Sequence, residues 1–308
     1  MTQPLVTTYI NPDLDGVAGA VAYAEYLTKT GTTCELGIIG NLDEETEFIL
    51  STFNIPTPRS IDRINDRNQV ILLDVSEIAA LRGSVAPEKV IEIIDHRKVN
   101  DAAEFPNAKI QIELVGSVAT LISEKFMQHN IDVSRESALL MYGAIVSNTL
   151  HFKSAVTTDR DREAAHFLNT KLNLSVDFYK DLFKSKSDFS GSKLTDKIKG
   201  DSAPFIFGNK KVRIVQIEMI GARKLIAERG DEITQAIAEL KEEHGLDLIF
   251  LNIIDLEECK TFFIAVDDYS KSALEKILSI SFNNSVIEFS NMLLRKEIMP
   301  ALKEFLLI

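Results

Sequence analysis

The sequence predicts an α/β chain: a doubly wound parallel sheet followed by a second, smaller α+β domain. Three observations carry this. Short apolar runs alternate with amphipathic stretches through the first half, and two of the runs, VILLD (70–74) and VIEIID (90–95), are continuously apolar and end in Asp. Parallel strands buried on both faces read this way. The texture then changes after a Ser- and Lys-rich stretch, KSKSDFSGSK (184–193), beyond which longer strand-like runs dominate. The chain has 308 residues, enough for about two domains on the soft prior of roughly 150 residues each.

Taken in order, LVTTYI (5–10) reads as a strand, the polar NPDLDG (11–16) as a turn, and VAGAVAYAEYLTK (17–29) as a helix. CELGII (34–39) is a second strand. DEETEFILSTF (43–53) is a helix whose acidic first turn suits the macrodipole. From about 116 to 183 apolar residues recur at three- and four-residue spacing in GSVATLISEKFMQ, SRESALLMYGAIVSNTL and TDRDREAAHFLNTKL, which predicts helices. Past the break, PFIFG, KVRIVQIEMI, LDLIFLNIID and TFFIAV read as strands and ERGDEITQAIAELKEEHG as a helix. The expected division is a first domain over 1–186, a linker and hinge over 187–193, and a second domain over 194–308.

Composition excludes several classes. Lys plus Arg count 34 against 46 Asp plus Glu, a formal net charge of −12, which argues against a surface that grips nucleic acid broadly. No apolar run reaches the roughly 18 residues of a membrane span. Met1–Thr8 has no basic segment leading an apolar one, so a signal peptide is not expected. With two cysteines, Cys34 and Cys259, neither a disulfide framework nor a cysteine-based zinc site is expected, and the reading is a reducing, cytoplasmic compartment. G-x-G-x-x-G and P-loop motifs are absent, and no two glycines are adjacent.

Acidic residues stand at three strand ends: Asp13 and Asp15 after the first, Asp74 at another, Asp95-His96 at a third. Ligands of open α/β sheets bind outside the carboxyl ends of the strands. Carboxylates gathered there repel one another unless a cation joins them. Oxygen-rich ligation with an imidazole suits Mn²⁺, Mg²⁺, Co²⁺ or non-haem iron better than a closed zinc site. A single Asp after a strand is more often a helix cap than a ligand, and Asp15 is an obvious cap candidate.

These residues resemble the motifs of the DHH phosphoesterase superfamily, and within it the manganese-dependent family II inorganic pyrophosphatases and their prune-type relatives. The resemblance runs nearly the full length. It is carried by Tyr9-Ile10-Asn11-Pro12-Asp13-Leu14-Asp15-Gly16, by Ile71-Leu72-Leu73-Asp74, by Asp95-His96-Arg97, by Val115-Gly116-Ser117-Val118-Ala119-Thr120, by Ala144-Ile145-Val146-Ser147-Asn148-Thr149-Leu150, and by Arg295-Lys296 with Pro300. It implies a DHH domain followed by a DHHA2-like domain. Asp13, Asp15, Asp74, His96 and Asn148 would be the metal positions, with Asp74 bridging. Asp74, Asp95 and Arg97 would be the catalytic candidates. Arg97, Lys184, Arg295 and Lys296 would hold phosphate groups.

The resemblance further implies two divalent ions, Mn²⁺ first and Mg²⁺ or Co²⁺ as alternatives, and attack of a metal-bridged hydroxide on a phosphoanhydride. The substrate would be pyrophosphate, with short polyphosphate or a nucleoside polyphosphate as the alternative; the partner would be a second copy of the chain, in a homodimer. Three positions depart from the pyrophosphatase pattern. Tyr9 replaces a ligand His, Arg97 the second His of the triad, and Asn148 a ligand Asp. Prune-type relatives share the Arg and also lack the first His. Tyr9 and Asn148 together keep open a weakened or non-catalytic member that binds phosphate or a partner. Among the remaining histidines, His151 follows the Asn148 motif and could lie near the site.

Overall fold

The computed structural model describes residues 3–64, 67–98, 100–200 and 204–307. The chain divides into two compact units between Ser185 and Lys186. In the first, β1 (Leu5–Thr7), α1 (Leu14–Lys29), β2 (Glu35–Leu36), α2 (Glu44–Phe53), β3 (Val70–Leu73), α3 (Ile78–Leu81), β4 (Val90–Asp95) and β5 (Lys109–Ile112) are followed by α4 (Val118–Gln128), α5 (Arg135–Asn148), α6 (Asp159–Asn169) and α7 (Phe178–Ser185). The strands form one sheet in the order β2-β1-β3-β4-β5, every pair parallel. Chain direction across this sheet reverses between β1 and β3, the topological switch point where such sheets bind ligands.

The continuous apolar runs are explained by burial on both faces. Leu5, Val70, Leu72, Val90 and Ile93 pack with Leu81, Val85 and Phe105. Val6, Ile71, Leu73 and Ile94 are equally buried, and α1 packs against β3 and against α4 and α5. Gly19 makes that packing close: a Cβ there would lie 2.8 Å from Val118 Cγ1 and 3.5 Å from Leu73 Cβ. The fifth strand, KIQI, escaped the sequence reading. It is an edge strand with Ile110 39% exposed, too short and too polar to show as an apolar run.

The second unit holds α8 (Lys193–Gly200), β6 (Phe205–Phe207), β7 (Lys210–Met219), α9 (Ala222–His244, bent at Arg229), β8 (Leu248–Asp255), β9 (Lys260–Ile264), α10 (Asp268–Leu278), β10 (Val286–Phe289) and α11 (Arg295–Leu307). Its sheet runs β10-β9-β8-β7-β6, with only β7 and β8 parallel. Val215, Ile217, Leu251 and Ile253 form one core with α8 and α9 residues; Ile214, Phe250 and Phe263 form another with α10 and α11 residues. The segment 187–193, expected as a hinge from its composition, belongs to this unit. Phe189 is buried in its core, and the Arg229 guanidinium donates to the carbonyls of Phe189 and Gly191. A composition rich in Ser and Lys hid one anchoring aromatic. Cys34 and Cys259 are both free thiols. Among the described residues no helix is long and apolar enough to cross a membrane.

Candidate metal centre

The turn after β1 is built by its own side chains. Asp13, not Asp15, caps α1: its Oδ1 accepts from the amides of Asp15 (3.0 Å) and Gly16 (3.1 Å). Asn11 has a left-handed φ of 55°, and its Oδ1 accepts from the Asn41 amide at 2.9 Å. Gly40, at φ 86°, leaves the room for this clasp, since a Cβ would fall 2.1 Å from Asn11 Oδ1 and 3.0 Å from its amide nitrogen. Gly40→Ala is therefore expected to cost about 1–3 kcal/mol, the range for a side chain forced into such a conformation, plus the displaced clasp. Chemical denaturation measures it.

Asp15 is released from capping its own helix to receive the N-terminus of another. Ser117 Oγ (2.6 Å) and the Ala119 amide (3.1 Å) donate to Oδ1; the Val118 amide (2.8 Å) donates to Oδ2. A carboxylate there also meets the positive end of α4. Asp74 leaves β3 at a left-handed φ of 57°, which Asp tolerates better than most residues, and turns its carboxyl toward the end of β4. His96, just past β4, donates Nδ1–H to the Val115 carbonyl at 2.9 Å. In the neutral ring that tautomer leaves Nε2 with its lone pair, 3.2 Å from Asp74 Oδ1 and 3.5 Å from Asp15 Oδ2.

Three donors therefore converge. One ligand atom each from Asp15, Asp74 and His96 lie within 4.8 Å of one another. Asp15 and Asp74 are each 1% exposed, and the buried Asp74 Oδ1 has no hydrogen-bond donor besides His96 Nε2 when that ring is protonated. A carboxylate oxygen, a second carboxylate and a fixed imidazole lone pair fit a divalent cation.

The charges are poised for it. Burial, then the neighbouring Asp74 charge, pushes Asp15 up to about 7. Burial works against a charge on His96, but Asp74 and then Asp15 overcome it and lift the imidazole to about 9. Burial would raise Asp74 too; Arg97 and His96 reverse that and hold it below the usual carboxylate range. The sign of the pH dependence follows. Below about pH 9 metal must displace the His96 proton, and below about pH 7 the Asp15 proton as well. Apparent affinity for a divalent metal ion is expected to rise about tenfold per pH unit between pH 7 and 9, and more steeply between 6 and 7. Calorimetric titrations in buffers of different ionisation enthalpy count the released protons.

Each remaining candidate has a definite place. Asn148 ends α5 with Nδ2 donating to Asp15 Oδ2 at 2.7 Å, which places it beside the cluster. Asp95 is fully buried and accepts from Ser76 Oγ, from the His96 amide (2.7 Å) and from Arg97 Nη1 (3.2 Å), so it orders the loop that bears His96. The Arg97 guanidinium donates to Asp74 Oδ2 at 3.1 Å and to the Asp74 carbonyl. Tyr9 Oη accepts from the Asp13 amide at 3.0 Å; burial, then the charges of Asp13 and Asp74, keep the phenol protonated, well above its usual value.

The basic residues stand on other elements. Lys184, in the last turn of α7, is exposed and faces Asp181 at 3.8 Å. Arg295 and Lys296 open α11 in the second unit, where Arg295 donates to the Ile214 carbonyl at 2.9 Å. His151 lies in a left-handed turn with Leu150 and Phe152 and stacks on Tyr179, ring centroids 3.8 Å apart.

Sequence reading missed Asp161. It is fully buried and accepts from the Gly116 amide (2.9 Å), Thr120 Oγ1 (2.6 Å), the Thr158 amide (2.7 Å) and Thr158 Oγ1 (2.8 Å). It thereby fixes the segment whose carbonyl orients His96 and whose amides hold Asp15. The only local signal was an Asp three residues after Thr158, a capping pattern that α6 indeed uses.

Fold and site define a class: a two-domain α/β protein with a carboxylate–imidazole group, able to hold a divalent cation, at the switch point of a parallel sheet. Residues 4–145 match the model of the DHH family N-terminal domain and residues 180–305 that of the DHHA2 domain. The chain thus carries a DHH domain followed by a DHHA2 domain. Two curated relatives, from Bacillus cereus and Bacillus mycoides, are each 29% identical over 307 residues, covering 99% of both chains; each is named a "Probable manganese-dependent inorganic pyrophosphatase". A solved structure of a candidate family II inorganic pyrophosphatase from Methanococcus jannaschii superposes with a TM-score of 0.76 at 28% identity, over 98% of this chain and 99% of that one. An exopolyphosphatase-related protein from Bacteroides fragilis shares the fold, with a TM-score of 0.52 at 11% identity over 99% of this chain and 92% of its own.

Proposed function

We propose that this chain hydrolyses a phosphoanhydride, with inorganic pyrophosphate as the substrate and Mn²⁺ as the metal. The observation that carries the reading is the convergence of Asp15, Asp74 and His96 around Oδ1 of Asp74. The kinship with manganese-dependent pyrophosphatases supports the choice of substrate and metal. A divalent ion held there supplies Lewis acidity and brings the pKa of water toward neutrality.

The protein's part is preorganisation. Four hydrogen bonds to Asp15, from Ser117, Val118, Ala119 and Asn148, hold its carboxylate, so no reorganisation of that ligand is needed as charge develops. The Val115 carbonyl fixes the His96 tautomer. Arg97 opposes the negative charge of Asp74 and Asp95, which would otherwise repel a polyanion. Asp13, Lys184, Arg295 and Lys296 remain the further residues proposed to serve the metal and the phosphate groups.

Phosphate release from pyrophosphate, tripolyphosphate and a dinucleotide, each with Mn²⁺, Mg²⁺ and Co²⁺, tests the reading. Pyrophosphate with Mn²⁺ is expected to be fastest. A metal-loaded chain that releases phosphate from no anhydride would overturn it.

A further inference from the structure

We propose that the Arg97 guanidinium takes the place of a second divalent cation, so that this chain binds one metal ion per copy where family resemblance implies two. The inference rests on reading Asp15, Asp74 and His96 as a metal site.

The two carboxylate oxygens of Asp74 face different things. Oδ1 faces His96 Nε2 at 3.2 Å. Oδ2 faces Arg97 Nη2 at 3.1 Å. A bridging carboxylate gives one oxygen to each of two metals; here the second oxygen is already given to a cation of the chain itself. That cation is fixed. Arg97 Nη1 also donates to the Asp74 carbonyl and to Asp95 Oδ1, and the guanidinium carbon lies 5.7 Å from the Tyr9 ring centroid. A guanidinium keeps its charge throughout the pH range of a folded protein, and its planar fork matches this set of oxygens.

The donors left for a second ion are few. Asp13 Oδ1 is committed to two helix amides. Tyr9 offers a phenol where an imidazole would stand, and its oxygen already accepts from the Asp13 amide. A second dication would have one oxygen of Asp13, no imidazole, and a permanent like charge a few ångströms away. Tyr9 and Arg97 are thus one coupled departure: the phenol vacates the ligand position, and its ring flanks the cation that fills it.

The test counts ions. The full-length, metal-stripped chain is titrated with Mn²⁺ by calorimetry, its content is measured by elemental analysis after desalting, and its electron paramagnetic resonance spectrum is recorded. One ion per chain with the hyperfine pattern of an isolated Mn²⁺ is expected. The Tyr9→His/Arg97→His double variant is expected to take up a second ion and show an exchange-coupled spectrum. Should that variant not fold, Tyr9→His/Arg97→Gln, which frees Asp74 Oδ2 and places an imidazole beside Asp13 without a second ring at 97, is read the same way. Two coupled ions in the unaltered chain would overturn the role of Arg97 while leaving the metal site standing. One ion in both the unaltered chain and the variants would overturn it as well. No bound ion at all would overturn the metal site with it.

Discussion

Asp74→Asn is expected to abolish Mn²⁺ uptake and to lower phosphate release by about 10³-fold, the order seen when a preorganised electrostatic group is removed, without unfolding the protein. Asp74 is the residue through which the cluster is joined: its Oδ1 faces His96 and its Oδ2 faces Arg97. The left-handed backbone at this position, φ 57°, is one that Asn adopts as readily as Asp, so the variant changes charge rather than shape. A separate readout distinguishes loss of the site from general damage. Asp74 is the main partner that lifts His96 to about 9 against the cost of burial. In the metal-free variant the His96 ring should titrate at lower pH, measured by its proton resonances. An unchanged His96 titration, or unchanged Mn²⁺ binding, would contradict the arrangement.

Asp161→Ala should destabilise the first unit by about 3–5 kcal/mol, since two buried donors, the Gly116 amide and Thr120 Oγ1, and two half-buried ones on Thr158 would each lose a partner at roughly 1 kcal/mol or more. Its effect on function should exceed its effect on folding. The Gly116 amide it holds lies between Val115, whose carbonyl orients His96, and Ser117, whose hydroxyl holds Asp15. Loosening that segment disturbs two of the three donors together, and Mn²⁺ affinity should fall by about 10–100-fold, as for other partners that orient ligands. Asp161→Asn retains an acceptor oxygen and should lose about half as much stability. Denaturant unfolding and Mn²⁺ titration of both variants make the comparison. Unfolding within about 1 kcal/mol of the unaltered chain, with metal affinity intact, would show that the segment is held by other means.

Much of the site was legible because parallel strands buried on both faces must be continuously apolar, and polarity then returns sharply at their carboxyl ends. Asp13, Asp15, Asp74 and Asp95-His96 stand out for that reason. Their division of labour was not legible. Asp13 and Asp15 both sit where a cap could form, and only the meeting of α1 with α4 shows that Asp13 caps its own helix while Asp15 serves the other. Asp95, a catalytic candidate by resemblance, accepts from Ser76, the His96 amide and Arg97, partners that its place at a strand end does not announce. Likewise 187–193 reads as a linker until Phe189 is seen in a core.

The sequence by itself determined the fold class and the carboxylates and imidazole at three strand ends, because burial and strand termination are local demands written in consecutive residues. The tertiary structure decided which cation Asp74 faces on each side, and that Asp161 controls the loop behind the site. Those are hydrogen bonds and ion pairs between residues 19 to 133 positions apart. No local pattern records such pairings, since they exist only once the sheet has brought its strand ends together.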